Sequence, residues 1–149
     1  MNRLNVTVLA MLSAFAVAAP VAEAKTCYQV DTIRYKNSGA YTVDNVYIMY
    51  KDEDGKTQSK QATYDNIDTG YMVKIVLETE SQNLKQNTEV WAKIDILHGD
   101  NEGCRKDGTK FYYNKSGGTV TYETEGTTYN NNRCTLRNRP SDSHIIDCP

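Results

Sequence analysis

In the stretch TEVWAKIDIL, residues 88–97, apolar and polar side chains alternate. In an extended strand, successive side chains point to opposite faces of the sheet. Four apolar residues would therefore face a core together: Val90, Ala92, Ile94 and Ile96. Three of these four are β-branched, which also favours a strand. We predict a core β-strand here.

A second stretch, YMVKIVLE at residues 71–78, shows the same alternation. It places Val73, Ile75 and Leu77 on one face, and we predict a second core strand. No segment of helical length shows a period of 3.6 residues. The mature chain is instead rich in Thr, Tyr, Val and Ile, with Gly, Asn and Asp between the apolar runs, which is typical of short strands joined by turns.

Turn and edge features complete the predicted sheet. Asp54-Gly55 predicts a tight hairpin turn, because both residues tolerate positive φ angles. The polar segment TQSKQATY, residues 57–64, predicts a strand at an edge or in a solvent-facing position. The apolar phase of CYQVDTIRY changes near Asp31-Thr32, which predicts a bulge. KFYYN and TVTYET, joined by a Gly-rich turn, predict a second hairpin. Together these segments predict an all-β fold, an antiparallel β-sandwich or small barrel of about seven or eight strands.

The first 24 residues predict a secretory signal peptide. Arg3 precedes an apolar run, and Ala22-Glu23-Ala24 forms a small-residue cleavage pattern. The apolar run is shorter than the roughly 20 residues that cross a bilayer, and no later segment comes close, so we expect no membrane span. The chain therefore divides into a signal peptide, residues 1–24, and one secreted or periplasmic domain, residues 25–149, which we expect to be a monomer.

All four cysteines lie in the mature part, where an exported chain meets an oxidising compartment. Four cysteines allow three pairings. We favour Cys104 with Cys134, which bracket a strand-loop-strand run, and Cys27 with Cys148, which would join the two ends. The sequence therefore predicts a domain held by two disulfides.

Charge and ligand spacing bear on the possible partners. The formal net charge is −2, so there is no electrostatic reason to expect a nucleic-acid partner. Neither a C-x-x-C nor an H-x-x-x-H spacing occurs, and the acidic turn KDEDGK lacks the spacing of an EF-hand. We expect no metal and no cofactor.

Trp91 is the first candidate for a ligand-binding residue. If Val90 and Ala92 face the core, the single tryptophan of the chain points outward, between charged neighbours. A large flat aromatic side chain on a surface suits carbohydrate or protein binding. The alternative is that an overlying loop or a bulge buries it.

The second candidate site is a pair of loops. EGTTYNNNRC, residues 125–134, is explained as a tight polar connection, because asparagine hydrogen-bonds its own backbone and tolerates left-handed conformations. A Cys104–Cys134 bridge would also bring it beside HGDNEGCRK, residues 98–106. The candidate binding residues on these two loops are His98, Asp100, Arg105, Tyr129, Asn131 and Arg133. Both a structural turn and a binding site remain open.

Three functions are compatible with this sequence. The leading hypothesis is a secreted or periplasmic binding module that recognises a carbohydrate or a protein surface through loops at one end. The second is a secreted inhibitor or toxin-like effector that docks on a partner protein. The third is a small secreted hydrolase, resembling ribonucleases only in size, disulfide count and Tyr/Asn richness, with His98 and His144 as acid and base. No nucleophile motif is present, so we favour a protein that is not an enzyme.

Overall fold

The fold is described from a computed structural model, which describes residues 26–81, 84–104 and 108–149. The predicted signal peptide, residues 1–24, lies outside these residues. The described chain is nearly all β, which confirms the predicted all-β class. Its strands are β1 (Cys27–Asn37), β2 (Val43–Lys51), β3 (Thr57–Ile67), β4 (Met72–Val76), β5 (Glu89–Ile96), β6 (Glu102–Gly103), β7 (Lys110–Tyr113), β8 (Gly118–Thr124), β9 (Cys134–Asn138) and β10 (Ile145–Ile146). One short helix, α1 (Leu77–Glu80), and a 3₁₀ turn, Asp142–His144, accompany them.

The ten strands are hydrogen-bonded into one continuous sheet. Seven of them follow the order β3-β2-β5-β7-β1-β8-β9. Two further strands, β4 and β10, pair with β1, and β6 pairs with β5. The number of strands exceeds the predicted seven or eight. Two of the ten, β6 and β10, are only two residues long, which is too short for a sequence pattern to reveal. A division into a sandwich or a closed barrel stays a prediction.

Strand β1 pairs with four of the other described strands, namely β4, β7, β8 and β10. Its burial pattern changes phase as predicted, with Val30 buried before the change and Ile33 and Tyr35 buried after it. The pairing with β8 shifts register between Val30 and Thr32, which confirms the bulge expected at Asp31-Thr32. A bulge reorients the strand, so the two halves of β1 can present their side chains to different neighbours.

The predicted hairpin between KFYYN and TVTYET is wrong. β7 and β8 lie on opposite sides of β1 and both run parallel to it, with Tyr113 and Gly118 each opposite Val30. The sheet is therefore not purely antiparallel. The connection crosses β1 at Gly117, where an added Cβ would lie 2.5 Å from the backbone N and C atoms of Val30. Only a residue without a side chain allows this approach.

The core strand read from residues 88–97 is confirmed. Along β5, Val90, Ala92, Ile94 and Ile96 are buried, and the residues between them are half-buried. The prediction for residues 71–78 is only partly right: Ile75 is buried in β4, but the strand ends at Val76. Leu77 enters the core from α1, because one helical turn follows the strand directly.

The turn, the edge strand and the disulfides that the sequence predicts are present in the structure. Gly55 adopts a positive φ of 73° between β2 and β3, and β3 lies at one end of the strand order, as expected of a polar edge strand. Both favoured cysteine pairs are present, Cys27–Cys148 and Cys104–Cys134. These two disulfides are consistent with an extracellular protein.

Candidate functional site at the loop end

Four loops meet at one end of the sheet, because the strands that they connect start or stop there together. Asn37 at the end of β1 lies opposite Thr124 at the end of β8. Val43 at the start of β2 lies opposite both Ile67, at the end of β3, and Ile96, at the end of β5. We call this surface the loop end; it comprises residues 38–42, 68–71, 97–101 and 125–133.

Backbone and side-chain hydrogen bonds hold these loops to one another. Ala40 N donates to Gly126 O (2.8 Å), Leu97 N donates to Thr42 O (3.0 Å), and Thr69 Oγ1 donates to Gly39 O (2.6 Å). The loops are thus linked in a chain from 68–71 through 38–42 to both of the others. Such links pre-organise a surface and reduce the entropy lost when it binds a partner.

The fully buried Asn37 anchors two of the loops. Its Nδ2 donates to Tyr41 O at 2.6 Å and to Ile67 O at 2.9 Å, and its Oδ1 accepts from Gly39 N at 3.0 Å. Backbone groups inside a protein need such partners, because a buried group without one costs about 1–3 kcal/mol. Asn37 therefore acts as structural support beneath the loop end, a role that the sequence alone did not reveal.

Backbone hydrogen bonds and two positive φ angles define the conformation of the 125–133 loop. Gly126 adopts a φ of 88°, and an added Cβ would lie 2.4 Å from Asn131 O. Thr127 N donates to Asn130 O at 2.8 Å, which closes the turn, and Asn131 adopts a positive φ of 56°. The expectation that asparagine serves a tight connection here is confirmed, and Tyr129 projects from that connection.

The structure brings most of the predicted loop residues together. Gly99 packs against the other loop, since an added Cβ would lie 2.9 Å from Thr128 O. The Cys104–Cys134 bridge joins the chain segments that follow each loop. The predicted site residues at the loop end are His98, Asp100, Tyr129, Asn131 and Arg133. Arg105 lies outside the described residues.

Trp91 does not belong to this neighbourhood. It lies on β5, five residues before Ile96, which is about 17 Å along the strand. Its side chain is half-buried on the outer phase of β5. Trp91 therefore belongs to a separate surface.

The two histidines do not form an acid–base pair. His144 packs at the start of β8, where its Cδ2 would lie 2.8 Å from a Cβ added to Gly118. His98 lies beyond the other end of β8, since its neighbour Gly99 packs beside Thr128. The seven residues of β8 separate the two by about 20 Å. Hydrogen-bond reach to one reacting centre requires far less, so the acid–base prediction for His98 and His144 is wrong.

Exposed apolar side chains concentrate at the loop end. Among the described residues, five large hydrophobic side chains are exposed, and four of them lie on the loop end or at its margin: Tyr71 (66%), Met72 (51%), Leu97 (39%) and Tyr129 (80%). Sequence reasoning found only Tyr129. The predicted strand 71–78 includes Tyr71 and Met72, and Leu97 is the last residue of the stretch 88–97. The turn residues Asp68-Thr69-Gly70 are the feature of the sequence that indicates a loop position for Tyr71.

A carboxylate beneath the loop end ties β8 to its neighbours. Glu123 is 16% exposed, accepts a hydrogen bond from Ser38 Oγ, and lies 3.2 Å from Lys36 Nζ and 2.8 Å from Arg137 Nε. The Ser38 hydrogen bond and the nearby cations lower the pKa of Glu123 below its ordinary value of 4.5. The ionised form of Glu123 therefore stabilises the folded state.

We expect this stabilisation to depend on pH. Because the folded-state pKa of Glu123 is lowered, its contribution is complete above pH 4.5 and is lost as the pH falls through the folded-state pKa. Glu123→Gln should lower the free energy of unfolding at pH 7, and its difference from wild type should shrink below pH 4.5. Urea unfolding across this range measures both. Glu53→Gln is the control, because the side chain of Glu53 is 78% exposed and its surface ion pair should contribute little to stability. If the free energy of unfolding of Glu123→Gln differed from that of wild type by the same amount at every pH, the pH dependence could not be assigned to Glu123.

Neither a metal site nor a spanning helix is found in the described part of the chain. No group of three or more His, Cys, Asp or Glu residues in residues 26–81, 84–104 and 108–149 is placed to hold an ion. Over the same residues, no helix has the length and hydrophobicity that crossing a bilayer requires.

No protein-family model and no curated protein sequence matches the chain. Among solved structures, wild-type pneumolysin is similar at 16% identity and a TM-score of 0.39, over 74% of this chain and 23% of that one. Listeriolysin O is similar at 19% identity and a TM-score of 0.40, over 74% and 22%. The membrane-binding domain of pneumolysin is similar at 15% identity and a TM-score of 0.33, over 72% and 94%. The chain thus spans less than a quarter of the two complete proteins, and at these scores the similarity carries no conclusion about function.

Proposed function

We propose that this protein is a secreted or periplasmic binding module that recognises the surface of another protein through its loop end. The observation that carries the proposal is that Tyr71, Leu97 and Tyr129 are exposed on three separate loops at one end of the sheet, with exposed Met72 beside Tyr71 at the start of β4. Exposed apolar side chains gathered at one end of a protein that otherwise buries them are typical of interaction sites. Tyrosine is well suited to such sites, because it offers a large rigid surface and a hydroxyl at small entropic cost.

The composition of the loop end supports a protein partner. Tyr, Ser, Gly and Asn make up 12 of its 23 residues. This is the composition that antibody binding loops use, in which tyrosines provide contact area and small polar residues adapt their hydrogen bonds. Three acidic residues and one arginine give the loop end a formal charge of −2. That balance favours a partner surface that carries positive charge at its rim.

The same arrangement would serve an inhibitor or an effector that docks on a partner protein. It does not favour a hydrolase, since His98 and His144 lie at opposite ends of β8. A binding role needs only the exposed side chains and a scaffold that holds them. The disulfide Cys104–Cys134 and the hydrogen bonds of Asn37 supply that scaffold.

Affinity capture with matched variants tests the proposal. Wild type, Tyr71→Ala, Tyr129→Ala and the control Lys60→Ala would be immobilised against extracellular and periplasmic extracts of the source organism, and each captured protein would be purified and titrated by surface plasmon resonance. Lys60 is exposed on β3, away from the loop end. We expect a captured partner to bind Lys60→Ala as it binds wild type. Each tyrosine variant should bind at least about 10-fold more weakly, as central tyrosines do in interfaces. Equal binding to all four proteins would refute the proposed site.

A further inference from the structure

The outer face of β2 and β5 carries a second cluster of large side chains, which the loop end does not use. Trp91 lies opposite Met49, and Lys93 lies opposite Tyr47, so Trp91, Met49 and Tyr47 are neighbours on one face of the sheet. Each of the three is half-buried, whereas Val90 on the opposite phase is buried. The core therefore lies behind this face, and Trp91 retains access to solvent.

The charges on this face are balanced among themselves. Lys93 Nζ lies 3.2 Å from Asp95 Oδ1, an ion-pair distance without the geometry of a hydrogen bond, and 5.1 Å from the centroid of the Tyr47 ring. Lys110 Nζ lies 3.5 Å from Glu89 Oε2. Lys93 and Lys110 thus each have an acidic neighbour, so neither cation is left uncompensated to attract an anionic ligand.

Small polar groups border the cluster on the side of β3. Ser59 lies opposite Met49, Gln61 lies opposite Tyr47, and both are exposed. The Nε2 of Gln61 donates to Asn45 Oδ1, which holds the amide beside the Tyr47 ring. The face therefore combines a flat aromatic centre with a row of hydroxyl and amide groups at one side.

We propose that this face, centred on Trp91, binds a neutral oligosaccharide. A pyranose ring presents C–H groups on one face and hydroxyls around its rim. The indole ring of Trp91 complements the C–H face, and Gln61 and Ser59 complement the hydroxyls. The internally paired charges favour a ligand without charge over an anionic one. This site is about 17 Å along β5 from the loop end, so it goes beyond the proposed protein-binding function and does not depend on it.

Intrinsic fluorescence tests the site directly, because Trp91 is the only tryptophan in the chain. The probes are cellohexaose, xylohexaose and chitohexaose, with an oligogalacturonate of equal length as the anionic comparison. We expect at least one neutral probe to change the emission with a saturable dissociation constant of about 1 mM or lower. The anionic probe should bind more weakly than that neutral probe.

Variants separate this proposal from a loop-end effect. By isothermal titration calorimetry, Trp91→Ala should bind the neutral probe at least about 10-fold more weakly, and Gln61→Ala, on the exposed edge strand, several-fold more weakly. Tyr129→Ala should bind as wild type does. The proposal is overturned if no neutral probe changes the emission, if the anionic probe binds most tightly, or if both Trp91→Ala and Gln61→Ala retain full binding. Failure here would leave the protein-capture experiment unaffected, since that experiment varies other residues.

Discussion

Gly117→Ala should lower the free energy of unfolding by about 3 kcal/mol or more. The added Cβ would lie 2.5 Å from Val30 N and C and 2.6 Å from Val30 Cα. Real non-bonded carbon contacts lie near 3.5–4.0 Å. The obstructing atoms are the backbone of Val30, which is fully buried, so they cannot rotate away as a side chain would. The crossing would have to lift from β1, which would weaken the parallel pairing of both β7 and β8.

Urea unfolding measures this effect, with Gly103→Ala as the matched control. Gly103 lies on exposed β6, and an added Cβ would meet no atom within 4 Å. Its substitution should therefore change the free energy of unfolding by less than about 0.5 kcal/mol. If Gly117→Ala matched Gly103→Ala, the crossing of β1 between β7 and β8 would be wrong, and a hairpin of the type that the sequence predicted would have to be reconsidered.

Removing the Cys104–Cys134 bridge should be comparably costly. The two cysteines are 30 residues apart, and closing a loop of that size restricts the unfolded chain by roughly 3–4 kcal/mol. Cys104 and Cys134 are also buried, so replacing both with alanine removes packed sulfur atoms from the core. The double variant Cys104→Ala/Cys134→Ala should therefore lose at least that free energy of unfolding.

The bridge also has a local effect that a second measurement can isolate. Hydrogen exchange in the native state should become faster in residues 97–101 and 125–133, because the bridge joins the segments that follow these loops. The control is Cys27→Ala/Cys148→Ala, which opens the bridge between β1 and the C-terminal segment, and it should leave exchange in those two loops unchanged. Equal acceleration in both double variants would show that the loops depend on global stability alone.

Features set by local sequence could be predicted. The alternation in β5 identified its buried face, because a strand with one face on the core must repeat every second residue. Asp54-Gly55 identified the turn between β2 and β3. The asparagine run of residues 130–132 identified a tight connection. In each case, the residues that carry the pattern also determine the structure.

Features set by distant contacts could not be predicted. The segment KSGG between β7 and β8 has the composition of a hairpin turn, and only the position of β1 between the two strands reveals Gly117 as a crossing point. Leu97 falls on the outer phase of β5, but only the end of that strand at Ile96 shows that it belongs to a loop. The role of Asn37 depends on carbonyls of Tyr41 and Ile67, the second of which is 30 residues away.

We propose that the loop end is the surface that contacts a protein partner. Hydrogen–deuterium exchange of the complex with a captured and purified partner tests it most directly. We expect slower exchange in residues 68–72, 97–101 and 125–133, and unchanged exchange in the β2–β3 turn at the opposite end of the sheet. Protection confined to that turn, or to the β2 and β5 face around Trp91, would contradict a contact between the loop end and the partner.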